Sequence, residues 1–270
     1  MNTRPVKNRR SFYSFQFRDA VYRVHSEHPS EVSRRIRRLW NELEQFIALH
    51  PAFGEAFTPL SPEGAGTTHL KSTDKTPGKG AGAAADLPES AVRMLNASQL
   101  TGVGPMAAVA GTFAQLAVEA GQAAGDGETI IENGGDVFLS ITLPLTLGLW
   151  VGPASPFHHM AFFIPPEMSP LAVCSSSSRL GHSRSFGNCD LVTVFSKNAS
   201  IADAEATACC NSIQSEEDMQ KAVERAVGID HIDGVIAIKN DKLAIAGQVP
   251  ELIRHTDGEL QSKITRHSEA

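Results

Sequence analysis

A chain of 270 residues, 41% of them hydrophobic, has the composition of an ordinary soluble globular protein and enough apolar material for a proper core in one large domain or two modest ones. Its net charge of −6 is unevenly spread: the first 40 residues hold ten Lys/Arg against three Asp/Glu, so that stretch carries +7 and the remainder −13. Such asymmetry can mark a nucleic-acid arm, but no aromatic-interleaved binding module accompanies it, and an arginine face can equally lie over the protein's own acidic body; no nucleic-acid partner is expected.

No apolar run of signal-peptide length follows Arg4, Lys7, Arg9 and Arg10, and a run such as 143–151 is broken by Pro144 and Gly148 well short of the ~20 residues a membrane helix needs. The chain therefore reads as cytoplasmic, with no membrane association. Cys174, Cys189, Cys209 and Cys210 lack zinc-type spacing, and the adjacent pair cannot readily close an unstrained disulfide, so buried thiols are expected.

In chain order, Phe12, Phe15, Phe17, Val21, Tyr22 and Val24 predict extended structure. With Ser30 as N-cap, Ile36, Leu39, Trp40, Leu43, Phe46 and Ile47 recur at helical spacing, Arg34, Arg35, Arg37 and Arg38 mostly take the other face, and Pro51 stops the helix. Residues 61–86 turn to Gly, Ala, Thr, Lys and Pro, the composition of a flexible surface insertion. Then Gly102 to Thr112 reads as a glycine turn feeding a tightly packed helix through Phe113, Leu116 and Val118. Its small side chains permit close backbone approach, to a neighbouring element or to a ligand, and no Lys follows as a P-loop requires.

Residues 129–139 predict two short strands around Asn133-Gly134-Gly135-Asp136. That element is either a plain turn or a place where main chain approaches a ligand while Asn133 and Asp136 supply polar contacts. Leu171 to Val173 lead into Cys174 and the run Ser175, Ser176, Ser177, Ser178, followed by Arg179, Gly181, His182 and Ser183. Hydroxyls, a guanidinium and an imidazole make an anion-friendly set, although a solvated loop favours the same residues. After a further apolar strand, Ala202-Asp203-Ala204-Glu205-Ala206-Thr207 puts a carboxylate and a hydroxyl four residues apart. On a helix both can reach one hard cation or one phosphate; the plainer alternative makes them caps or first-turn residues. Glu216, Glu217 and Asp218 open a last apolar helical stripe, and strands at 235–238 and 243–246 flank Asn240-Asp241 as a hairpin. The expected organisation is a basic extended segment at 1–30, an amphipathic helix and connection at 31–60, the insertion at 61–86, a core at 87–250 and a polar tail at 251–270.

Four of these segments, in order, carry a resemblance that none carries alone: GVGPMAAVAGT (102–112), IIENGGDVFL (130–139), CSSSSRLGHSRSFGNCD (174–190) and IADAEATACCN (201–211). Over roughly residues 90–250 the chain resembles an uncharacterised prokaryotic family of the ApbE-like superfamily. The resemblance implies an α+β fold, an ApbE-like (T-fold-like) single domain with mixed or antiparallel sheets and packed helices around a flavin cleft. Its better-studied relatives are FAD:protein FMN transferases, which split the FAD pyrophosphate with Mg2+ and attach FMN to a threonine of a target protein. Asp203 and Thr207 match the metal-binding Asp and Thr of those enzymes, and Gly134, Gly135 and Asp136 match their Gly-Gly-Asp strand end. Ala110 stands where they have the Lys of an Ala-Lys-Gly motif, and Gln115 where they have an Asp. Their His-His-Ile-Ile-Asp-Pro segment is absent; 181–187 takes its place, and the His158-His159 pair lies too early to replace it. Ser175 to Arg179 stands where the uncharacterised family reads approximately Thr-Ser-Ser-Gly-Thr.

The expected function is thus binding of an anionic or nucleotide-like ligand by Asn133, Gly134, Gly135, Asp136, Ser175, Ser176, Ser177, Arg179 and Ser183, with Mg2+ at Asp203 and Thr207. His182 would handle a proton or phosphate in a Mg2+-dependent transferase or hydrolase acting on a phosphate-containing substrate. FAD or FMN is a candidate cofactor, while flavin transfer itself is not carried over, because Ala110 replaces the Lys. The resemblance also implies an alternative: a non-catalytic accessory protein of anaerobic sulfur assimilation and homocysteine biosynthesis, partnered by a sulfur-transfer protein, in which the Cys174 thiol matters. An oligomer is compatible with the sequence, which specifies neither substrate nor oligomeric state.

Overall fold

The computed structural model describes residues 10–60, 87–152, 155–179 and 186–255; the insertion expected at 61–86, and His182 and Ser183, lie outside the described residues. The hairpin of β1 (Tyr13–Phe17) and β2 (Ala20–His25) is followed by α1 (Pro29–Leu49), α2 (Pro51–Glu55), α3 (Glu89–Thr101) and α4 (Val109–Ala124). Next come β3 (Thr129–Asn133), β4 (Asp136–Ser140), β5 (Leu145–Gly148), β6 (Met160–Ile164), β7 (Leu171–Ser176) and β8 (Leu191–Ser196). The chain closes with α5 (Ala199–Ser212), α6 (Asp218–Val227), β9 (Ile232–Lys239), β10 (Lys242–Gly247) and β11 (Glu251–Arg254).

Eight strands form one sheet in the order β1-β2-β3-β4-β7-β8-β9-β10, and every described pairing in it is antiparallel. Strand periodicity sorts its side chains into two cores. Phe138, Ala172, Cys174, Val192 and Val194 face the helices, packing with Ile36, Leu39, Phe113, Leu116 and Ala202. Val137, Leu139, Leu171, Val173 and Phe195 face the other way, against a three-stranded sheet ordered β11-β6-β5. The result is an α+β domain of three layers: helices, large sheet, small sheet. A hairpin–helices–hairpin unit occurs twice, as β1-β2, α1 to α4, β3-β4 and as β7-β8, α5-α6, β9-β10.

Several local expectations change. The first helix starts at Pro29, with His28 in the cap position and no side-chain cap, so Ser30 is inside it. Proline at the first helical position needs no N–H partner, and Asp126, from the α4–β3 connection, accepts the His28 and Glu27 N–H groups just before it. Residues 251–254, expected in a polar tail, pair with β6 as β11. From residue 10 on, the basic N-terminal stretch edges the large sheet, and described arginines are held within the chain: Arg10 on Glu128 (2.8 Å), Arg35 on Glu89 (2.7 Å), and Arg37 over the Phe15 and Phe17 rings. All four cysteines are buried and unbridged. Among the described residues, no single helix is long and apolar enough to cross a membrane.

Candidate functional site

The predicted hairpin forms as expected. Asn133 pairs with Asp136, and Gly134 and Gly135 between them have φ of 65° and 104°, the positive values that two-residue hairpin turns of type I′ require. The turn delivers Asp136 to the first position of β4, on the helix-facing side shared by Phe138. There it is buried; Oδ1 accepts the Ser175 N–H at 3.1 Å, and the Cys174 thiol lies against the same carboxylate.

Helix α5 brings the second carboxylate. Asn198 is its N-cap, accepting from the Ser200 and Ile201 N–H groups (3.1 and 3.2 Å), so Asp203 sits a full turn into the helix and is neither cap nor first-turn residue. Its Oδ2 accepts the Gly111 N–H at 2.8 Å, and the Ala110 N–H also bonds the carboxylate. Asp203 thereby satisfies backbone donors in the first turn of α4, which has no side-chain cap of its own. The approach is close because residue 111 is glycine: a Cβ there would stand 2.4 Å from the Ala199 carbonyl oxygen and 2.8 Å from Asp203 Cβ. Gln115 locks the same junction by accepting the Ala199 N–H (2.8 Å), and the Thr112 and Ser200 hydroxyls meet at 2.8 Å.

Asp136 and Asp203 repel one another in this buried setting. Burial pushes Asp203 up to about 7, against the lowering pull of the two backbone N–H groups. Burial and then the Asp203 charge raise Asp136 well above the usual carboxylate range, with Glu132 adding to the effect. Neither carboxylate forms an ion pair with a basic side chain among the described residues. Thr207, one turn beyond Asp203, is half-buried.

The serine run divides. Ser175 points away from the helices: its hydroxyl meets Thr193 on the sheet's other face (2.9 Å), and only its N–H reaches the site. Ser176 shares the helix-facing side with Cys174, and its buried hydroxyl has no hydrogen-bond partner among the described residues. Ser177 accepts the Arg179 N–H at 3.1 Å. The Arg179 guanidinium, expected to meet an anion, instead lies 3.1 Å from Asp190, which already neutralises it. Asn133 reaches the Ala110 carbonyl oxygen only at 3.5 Å. Cys174 is fully buried, and desolvation followed by the Asp136 and Asp203 charges pushes its thiol far up, the reverse of what a reactive thiolate needs. Sequence reasoning identified Asp136 and Asp203 but not their facing, nor Gly111 and Gln115 as the residues that set it. The small-residue run at 102–112 was the signal available.

Comparison with known proteins agrees with this architecture. The model of the family described as AbpE bacteria matches residues 18–244. A UPF0280 protein of Methanocella arvoryzae is 36% identical over 255 residues, covering 93% of this chain and 94% of its own, and one of Archaeoglobus fulgidus is 32% identical over 247 residues, covering 89% and 93%. Among solved structures, the flavin transferase ApbE of Vibrio cholerae, in a mutant form, superposes with a TM-score of 0.52 at 12% identity, covering 87% of this chain and 96% of that one. That likeness is one of fold. By the extent of the family match and the identity to its archaeal relatives, the chain belongs to the AbpE bacteria family of ApbE-like proteins, together with the UPF0280 proteins.

Proposed function

We propose that this protein binds a phosphate-containing, nucleotide-like ligand through a divalent cation of the Mg2+ type, held by Asp203 and Asp136 with Thr207 beside them. The observation that carries the reading is the pair of buried, mutually repelling carboxylates with no basic partner among the described residues. Such a pair discourages an anion and suits a cation, so an anionic ligand would need the cation as its bridge. The donors are hard oxygens, as Mg2+ prefers. No group of three His, Cys, Asp or Glu side chains among the described residues could hold a metal. An ion of this kind commonly takes one or two carboxylates from a protein and the rest of its shell from water and phosphate. When bound, the cation would neutralise phosphate oxygens, the chemistry used by transferases and hydrolases of phosphate-containing substrates.

The chain's own residues do the positioning. The Gly111 N–H fixes the Asp203 carboxylate, the Ser175 N–H fixes Asp136, and Gly134 and Gly135 keep the hairpin tip free of side chains where a ligand would approach. Ser176 offers a buried hydroxyl that no described group uses. Flavin nucleotides are the first ligands to test, because the neighbouring structures of this fold are named flavin transferases. Ala110 leaves the site without the Lys expected of those enzymes, which is why binding rather than flavin transfer is proposed.

The test uses Asp203→Asn, which keeps an acceptor for the Gly111 N–H and removes the charge. Wild-type protein should bind FAD or ADP with Mg2+ by calorimetry, losing at least about tenfold in affinity on EDTA treatment, equivalent to about 1.4 kcal/mol. In cation-free buffer at pH 8, Asp203→Asn should be more stable than wild type by about 1–3 kcal/mol in urea titration, because the repulsion is gone. Nucleotide binding that ignores EDTA, or that is equal in Asp203→Asn, would overturn the reading.

A further inference from the structure

Away from Asp136 and Asp203, the small sheet carries a cluster that the proposed function does not use. His158 and His159 form the turn into β6, with ring centroids 3.7 Å apart. The His255 ring, just past β11, lies 6.2 Å from that of His159, and the His255 N–H donates to the His159 carbonyl oxygen at 2.9 Å. Arg254, the last residue of β11, pairs with Met160, the first of β6, and is exposed. Among the described residues the charge around them is one-sided. Residues 137–166 contain no Asp, Glu, Lys or Arg, so β5 and β6 bring no carboxylate. On β11 the acid is Glu251, paired with Phe163 toward the far end, and the large sheet presents apolar side chains to this layer.

We propose that His158, His159, Arg254 and His255 form a proton-dependent oxyanion site that takes a phosphate group. The chemistry lies in the imidazoles. His158 Nδ1 is 2.6 Å from the Ser155 carbonyl oxygen, an acceptor, so Nδ1 carries the hydrogen. Its Nε2 is then an acceptor in the neutral ring and becomes an N–H donor only on protonation. An oxyanion needs donors, so it binds the protonated cluster. Without an anion, desolvation by its neighbours and the His158, His255 and Arg254 charges hold the exposed His159 below its ordinary value. A bound phosphate reverses that repulsion, and proton uptake and anion binding are linked.

The test follows the histidine ring resonances by NMR from pH 5 to 8, with and without inorganic phosphate. The imidazole midpoints of this cluster should rise by about one pH unit at saturating phosphate, which corresponds to about tenfold tighter binding per coupled proton. A second arm uses adenosine monophosphate: a comparable shift identifies a phosphate group as the recognised unit, and a clearly larger one identifies a phosphorylated metabolite as the better ligand. The double variant His159→Gln, Arg254→Gln should lose the response, while Asp203→Asn should keep it. No phosphate-induced shift in the wild type, a response surviving in the double variant, or one lost in Asp203→Asn would overturn the proposal, the last by placing the anion in the cleft.

Discussion

Gly111 sets how closely α4 can approach α5. Its missing side chain lets the Gly111 N–H reach Asp203, and the space a methyl would need is taken by the Ala199 carbonyl oxygen at 2.4 Å. Gly111→Ala should therefore push the two helices apart, costing about 1–3 kcal/mol in urea unfolding and weakening the cation response of the cleft. A substitution at Arg179, whose guanidinium is half-exposed beside Asp190, should leave nucleotide binding unchanged, and binding of FAD by Arg179→Gln measured beside wild type checks that. At this scale the carboxylates were legible because Asn-Gly-Gly-Asp turns and i,i+4 pairs have local signatures. That Ser175 faces the opposite side was also implicit in strand alternation, but only once the register of β7 was fixed against β8.

Single polar residues tie the elements together. Asn198 caps α5, and Asn198→Ala should cost about 1 kcal/mol in chemical denaturation and loosen the helix that carries Asp203. Glu128, at the entrance to β3, receives Arg10 at 2.8 and 2.9 Å and the Thr142 and Leu143 N–H groups at 2.7 and 2.9 Å. Burial alone would raise its carboxyl, but the bonds from Arg10 and those N–H groups more than reverse this and hold it at about 2. A depressed carboxylate stabilises the fold fully above its unfolded value of 4.5 and loses that contribution as pH falls toward 2. Acid titration should show this loss between about pH 4.5 and 2, and Glu128→Gln should flatten it there. The Glu128 tie was not readable from sequence spacing, because Glu128 and Arg10 are 118 residues apart and the carboxylate serves two separate segments.

Across the whole molecule, the large sheet is covered on both faces. Phe162 of β6 and Phe195 of β8 meet edge-to-face at 5.0 Å, and both are essentially fully buried between the sheets. Phe162→Ala should cost about 3–5 kcal/mol and lower the thermal midpoint, since it opens a cavity at the centre of the second core. The three-stranded sheet was the part of the fold that sequence pattern missed. Its strands are only four or five residues long, and a run such as 143–151 reads as an apolar stretch until a partner sheet defines its faces. By itself the sequence determined the main hairpins, the amphipathic first helix and the ApbE-like order of motifs, and it singled out Asp136 and Asp203, because each depends on residues close together in the chain. Only the tertiary structure decided that Asp136 and Asp203 face one another, that Arg179 pairs with Asp190 and that three histidines share one end of the small sheet. Those relations depend on close packing between distant segments, which local propensity does not encode.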